Sequence, residues 1–359
     1  MPDGLKFSHK HYVPILKTKE GERWALSHLP PAMRRLVTPL LEIHPPKKPR
    51  TTPAPSKAKK PRPPKPPKTL KDHVGGICEA LSVDWGPDHP LFVDTKWVDR
   101  ADDGTVIADA FASLRACGMQ AIPVVRLGHT AKGFAALRAA VSADGRGCLL
   151  RLAPDELGSI HIDAAVRALG LRRDQVHLLI DYRHRTPDIV DDIARVPGLA
   201  EWATLTVASN AMLGTFKEEK MHEWLRVPRS DWTAWRDALD DDDLQRKPAF
   251  SDYTCRDCGA PASGGYPSVN IRYACDSDWL VWVGSQVRYA DDREMNKVCN
   301  DLIGRPEFKT RDFSAGDAEI HETAQPEAPG PGNPGQWVGW GVSHHLVFTC
   351  DQMIRLPDA

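Results

Sequence analysis

Four acids placed far apart along the chain, Glu42, Asp94, Asp181 and Asp252, each close a short apolar run. Hard carboxylate oxygens of this kind can hold a divalent ion such as Mg²⁺ or move a proton. Basic residues occupy matching places at Lys17, Lys19, Lys96, Arg126, Arg151 and Arg183. Ammonium and guanidinium groups neutralise phosphate oxygens, arginine through a bidentate fork. His184 is a candidate general base, and Tyr253 and Arg272 are candidate ligand contacts. The set fits metal-assisted phosphodiester or nucleotide chemistry. It fits equally a metal-free version, in which His184 or a carboxylate acts as base and the arginines clamp an anion. Scattered carboxylates leave no local spacing signature, so the sequence does not decide whether a metal is bound. The same residues also have a structural reading, as ion pairs that line a barrel interior without catalytic duty.

What must position these residues is a repeated strand-helix unit. Apolar runs at 12–17, 37–43, 91–94, 121–126, 148–152, 176–181, 204–209 and 248–252 read as strands. Amphipathic stretches at 22–36, 70–81, 106–117, 131–141, 162–169, 188–193 (extending toward 201) and 231–239 read as helices between them. Runs without strict alternation suit strands covered on both faces. Eight such units in roughly 250 residues match a (β/α)8 barrel of the TIM type, whose active face is built at the carboxyl ends of its strands. The alternative is a doubly wound open α/β sheet. The barrel is preferred because a polar residue ends every strand around the ring instead of gathering at one switch point. If so, many unlike charges converge on one mouth. Burying even part of a charge is costly unless it is paired, so a ligand site explains the convergence better than chance does.

Residues 1–359 read as one barrel domain with two departures from the repeat. After the second strand, 45–69 is expected to be a disordered basic loop rich in proline and lysine. Residues 253–359 form C-terminal embellishments: a Gly/Pro/Cys loop at 253–268, a hairpin at 269–273 and 279–285, and a helix at 291–303. A linker at 319–336 and a last apolar segment at 337–348 follow. This tail is expected to supply the eighth helix and close over the barrel mouth.

With 41% hydrophobic and 26% charged residues the chain has an ordinary globular composition. No apolar run approaches the roughly 18 residues that a membrane span needs, and no signal-like core follows the first charges. The eight cysteines are spread thinly, which suits a reduced compartment, and a cytoplasmic location is expected. The net charge of -1 hides an asymmetry. Ten lysines and arginines and no acid fall within 47–71, so elsewhere 37 basic residues face 48 acidic ones. Attraction to a polyanion is therefore concentrated in that segment, which has no aromatic residue for base stacking.

Cys255-Arg256-Asp257-Cys258 is half of a zinc knuckle, with Cys275, His344 and His345 as distant candidates for the rest. Ordinary reduced thiols are the simpler reading. No GxxxxGK[ST], HExxH or GxSxG occurs, and the GxGxxG match at 330–335 contains two prolines and follows no strand.

The run Tyr12-Val13-Pro14-Ile15-Leu16-Lys17-Thr18-Lys19-Glu20-Gly21-Glu22, followed by Thr38-Pro39-Leu40-Leu41-Glu42-Ile43, resembles the opening of the bacteriophage beta-protein family. Phe92-Val93-Asp94, Pro123-Val124-Val125-Arg126, Ile180-Asp181, Ser251-Asp252-Tyr253 and Asn270-Ile271-Arg272-Tyr273 extend the similarity over nearly the whole chain. The basic insertion and the CxxC loop depart from it. The resemblance implies a role in phage-host conflict and carries no assigned reaction. The resulting expectation is a barrel whose charged mouth binds or processes a nucleotide or nucleic acid, as a hydrolase if it is an enzyme. Its rival is a non-catalytic module that contacts nucleic acid or another defence-system protein through the basic loop. No membrane partner is expected.

Overall fold

The computed structural model describes residues 5–46, 69–212, 214, 216, 221–259, 267–291, 293–328 and 330–357. Eight parallel strands form one sheet in chain order: β1 (Ile15–Lys17), β2 (Leu40–Glu42), β3 (Pro90–Asp94), β4 (Gln120–Val125), β5 (Cys148–Leu152), β6 (Val176–Asp181), β7 (Thr204–Ser209) and, beyond one intervening strand, β9 (Ala249–Asp252). A bridge between Tyr12 and Phe250 joins the last strand to the first, with the Val13 amide donating to the Phe250 carbonyl at 2.9 Å. The sheet is thus a (β/α)8 barrel, and the sequential strand order excludes the doubly wound alternative.

Helices cover the outside: α1 (Glu20–Ser27), α2 (Pro31–Arg34), α3 (Leu70–Asp84), α4 (Thr105–Ala116), α5 (Ala131–Asp144), α6 (His161–Ala168), α7 (Ile189–Ala194) and α8 (Ser230–Leu239). The helix expected over 22–36 is two, because Pro30 has no amide to continue the first and instead opens the second with Pro31 at its first position. Thr69 caps α3 in a reciprocal box with Asp72, which fixes the chain where the basic segment ends. Residues 47–68, nearly all of the expected basic loop, lie outside the described residues.

Strand side chains alternate between two cores. The outward set, among them Leu41, Val93, Leu150, Ile180, Val207 and Phe250, packs under the helices. The inward set, Val13, Ile15, Leu40, Phe92, Ile122, Val124, Leu149, Leu179 and Ala208, fills the barrel. Leu5 and Phe7 close its amino end, where Phe7 stacks on His11 at 4.2 Å between ring centres.

The tail differs most from expectation. The hairpin strands β10 (Ser268–Ala274) and β11 (Asp278–Gln286) are joined by a third strand, β8 (Trp224–Pro228), which the sequence reading missed. Residues 319–336 are not simply a linker: α10 (Ala315–Ala324) occupies their start, and α11 (Pro334–Ile354) includes their end and the last apolar segment. With α9 (Glu294–Ile303) these helices and β10 and β11 build a second, smaller core around Tyr273, Ile320 and Trp340. Among the described residues, only the first few of the tail close over the mouth as expected. Its long helix α11 lies on the outer wall against α1, where Gly21 and Gly339 let the backbones meet; a Cβ on Gly21 would stand 2.2 Å from the Gly335 carbonyl oxygen. What reaches over the mouth is the loop directly after β9, because Lys17 Nζ donates to the carbonyls of Asp257 (2.9 Å) and Gly259 (3.1 Å).

Candidate functional site at the barrel mouth

Because alternate residues face inward, one position at or just past the carboxyl end of each strand enters the mouth. In chain order these are Lys17, Glu42, Asp94, Arg126, Arg151, Asp181, Asn210 and Tyr253. Arg151 is their centre and is 3% exposed. Its Nε and Nη2 donate to Asp181 Oδ2 at 3.0 and 2.7 Å, and Nη1 donates to Glu42 Oε1 and to Asp94 Oδ2, both at 2.9 Å. Nη2 also reaches the Tyr253 hydroxyl at 2.6 Å, and that hydroxyl donates on to Asp181. Arg126 pairs with Asp94, and Lys96 Nζ stands 3.1 Å from Glu42 Oε1. Trp97 completes the floor by donating from Nε1 to Glu42 Oε2 at 2.6 Å.

This arrangement does not fit a hard ion on the three acids. Every oxygen of Glu42, Asp94 and Asp181 already accepts from the protein, the last two through the backbone amides of Lys96 and Arg183 as well. A Mg²⁺ that needs several of these oxygens in octahedral geometry would have to displace the Arg151 guanidinium. The three carboxylates balance the charges of Arg151, Arg126 and Lys96 by number. Burial alone would raise the Glu42 carboxyl, but Arg151 and Lys96 outweigh it and hold it down at about 2. Burial, with the like charge of Arg151, lowers Lys96 to about 8 and Arg126 to about 9. Burial is the larger cause for both cations, whereas Arg151, despite its own burial, is held up by Tyr253, Asp181 and Glu42, so the weakened cations are those at the edge of the network.

Above the floor, Arg183 lies exposed in the left-handed region at φ 56°, and its amide is tied to Asp181 Oδ1 at 3.1 Å. This turn carries the next residue, His184, over the mouth, where Nε2 meets Asp257 Oδ1 at 3.0 Å. His184 remains 45% exposed on its side chain. Lys19 sits in the turn that opens α1, its amide bonded to the Lys17 carbonyl.

Two expected site residues do not join the mouth. Asp252 has the outward parity of Phe250, and its carboxylate accepts from Tyr12 at 2.5 Å and pairs with His345 Nε2 at 2.6 Å beneath α11. Arg272 lies on the hairpin and donates to the Cys255 carbonyl at 2.6 Å, so it braces the β9 loop from behind. The histidine pair also stays away: His344 bonds Asp317 and the Ala274 carbonyl. Nor do the two cysteines of the CxxC form a chelating pair, since Cys255 packs in the outer core and Cys258 in the inner one. Sequence reasoning missed Trp97 and Asp257 as contributors, and named Cys258 only as half of a zinc knuckle with Cys255. Trp97 follows the Asp94 strand end within one turn and was within reach of the same argument; the other two needed the path of the β9 loop.

No curated protein matches this chain. Among solved structures it is similar to tryptophan synthase from M. tuberculosis, at 14% identity over 68% of this chain and 82% of that one with a TM-score of 0.34. It is also similar to a putative dihydrodipicolinate synthase family protein from Coccidioides immitis, at 8% identity, 69% and 68% coverage and a TM-score of 0.32. A GH138 enzyme targeting pectin rhamnogalacturonan II shows 10% identity over 88% of this chain and 43% of its own, with a TM-score of 0.39. The one match that reaches identity is a family model running from residue 12 to residue 351, and on its strength the chain belongs to the Beta protein family.

Proposed function

We propose that the mouth of the barrel binds a phosphate-bearing ligand, a nucleotide or a nucleic-acid segment, with Lys96, Arg126 and Arg183 as its anion contacts. The observation that carries this reading is geometric: Lys96 and Arg126, both partly exposed, and the exposed Arg183 stand together at the rim above a packed acidic floor. An anion there would pair with cations that burial disfavours. Glu42, Asp94 and Asp181 then act as the packed floor that orients Arg151, not as proton carriers. Any hydrolytic step falls to the side of the rim where His184 meets Asp257. The resemblance to the bacteriophage beta-protein family supports a setting in phage-host conflict.

The test is a thermal-shift screen of the full chain against nucleotides, cyclic dinucleotides and short DNA and RNA, beside the Lys96→Met/Arg183→Ala double variant. A ligand at a hundred times its Kd should stabilise the wild type by about 2.7 kcal/mol and the folded variant far less. Equal stabilisation of both proteins by polyanions alone would overturn the reading in favour of a contact module working through residues 47–68.

A further inference from the structure

Two loops that arise on separate strands bring three potential metal ligands to one side of the mouth. His184 comes from the loop after β6, and Asp257 and Cys258 from the loop after β9. One ligand atom from each, the imidazole nitrogen, a carboxylate oxygen and the sulfur, lies within 4.8 Å of the others. Among the described residues this is the one such grouping of histidine, cysteine and acid. Bond lengths of about 2.3 Å to sulfur and about 2.0–2.2 Å to nitrogen and oxygen set ligand atoms about 3.3–3.7 Å apart around a tetrahedral ion. The site therefore needs only a contraction of about 1 Å at its widest edge. The nitrogen and oxygen, at 3.0 Å, are already close enough.

We propose that His184, Asp257 and Cys258 bind a zinc-class transition-metal ion, with the fourth position open to solvent. Three features beyond the clustering point to a ligand there. Cys258 is 2% exposed, and beside it lies the buried Asn210 side chain, whose amide nitrogen finds no partner other than the sulfur. A metal-bound sulfur would accept from that amide. Among the described residues the approach from solvent is open, because His184 is half-exposed. Finally, Gly259 N donates to Asp257 Oδ1 at 2.7 Å, and Lys17 holds the Asp257 carbonyl, so the carboxylate is oriented before any ion arrives. The thiolate and carboxylate supply two negative charges, which neutralise a divalent ion within an otherwise positive rim. Three protein ligands and one open position are the pattern of zinc sites that activate water or hold a substrate oxygen. The inference does not depend on the anion reading.

The experiment is a Co²⁺ titration of the reduced, metal-free full chain, followed by absorption and reversed by Zn²⁺. A thiolate-to-Co²⁺ charge-transfer band should grow and saturate at one ion per chain. Cys258→Ser should abolish that band, His184→Ala should weaken binding by about tenfold or more, and Cys255→Ser should change neither. If the buried Cys258→Ser variant does not fold, the half-exposed His184→Ala variant decides. No charge-transfer band in the folded wild type, a band that survives Cys258→Ser, or affinity indifferent to His184→Ala would each overturn the site.

Discussion

Asp252 and Tyr253 are neighbours in sequence and end in different chemical worlds. Tyr253 turns into the barrel and closes the Arg151 network; Asp252 turns out, to Tyr12 and His345 beneath α11. Both clusters are buried and densely hydrogen-bonded. The mouth cluster is bounded above by rim groups such as Arg183 and His184 that meet solvent. The outer cluster is sealed by Trp279, Phe348 and the fully buried Arg229, whose guanidinium lies over both rings. The difference teaches that buried polarity alone does not mark a site; what does is charge that solvent can reach. In the outer cluster the polar groups instead fix how α11 docks on the wall.

The sharpest way to break the comparison is Arg151→Met. It leaves Glu42, Asp94 and Asp181 buried without their shared partner, so a loss of about 3–5 kcal/mol is expected in a denaturant melt near neutral pH. The pH dependence follows from Glu42. Its folded value of about 2 lies below its ordinary 4.5, so in the wild type its contribution is present above 4.5 and lost as pH falls toward 2. In Arg151→Met the carboxyls no longer gain from ionising in the fold. The variant should therefore recover relative to wild type as the solution is acidified, and a deficit that does not shrink in acid would contradict the network as described.

Asp252→Asn comes next in size. An amide offers one acceptor where the carboxylate serves Tyr12, His345 and the Thr254 amide, so about 1–3 kcal/mol should be lost. Ligand affinity at the mouth should stay unchanged at temperatures where the variant is folded. A parallel loss of affinity would mean that the two clusters act as one.

This pair of residues also shows where the sequence stops being readable. The eight strands are legible because parallel strands read as short apolar runs with helices between them, and the charges at their ends stand out against those runs. Facing is not legible in the same way. A strand buried on both sides has no alternation, so Ser251-Asp252-Tyr253 does not say which polar residue enters the barrel. The tail was hardest because its helices are poor in the usual signal: α10 buries Gly316, Asp317, Ile320, Thr323 and Ala324, a face of mostly small or polar groups. The edge strand β8, only partly buried, shows no clean apolar face either. The pairing of His184 with the β9 loop is a contact between distant segments, which no local pattern announces.

Asp231 sharpens the contrast through pH. Burial, and then the neighbouring charge of Asp252, raises it to about 6 from an ordinary 3.8. The folded state therefore holds more protons than the unfolded state between those values, and this group's contribution falls as pH rises through that window. Asp231→Asn should remove that fall, seen by comparing melts at about pH 4 and about pH 6. Its slope is opposite in sign to that of Glu42.

The smallest stability effect belongs to Lys96→Met, at the solvent edge of the mouth. Lys96 sits at about 8 in the fold against 10.5 ordinarily, so the unfolded chain binds more protons between these values and the wild type should gain stability as pH rises through them. The variant lacks the group and should lack the gain, while near neutral pH the two should melt within about 1 kcal/mol of each other, because the burial of Lys96 and its crowding of Arg151 offset its pairing with Glu42. An anion bound at the rim must by linkage raise Lys96, so wild-type affinity should decline above about pH 8 and the variant's weaker affinity should not follow that profile. If instead the two affinities share one pH profile, Lys96 does not face the ligand, and the rim contacts reduce to Arg126 and Arg183.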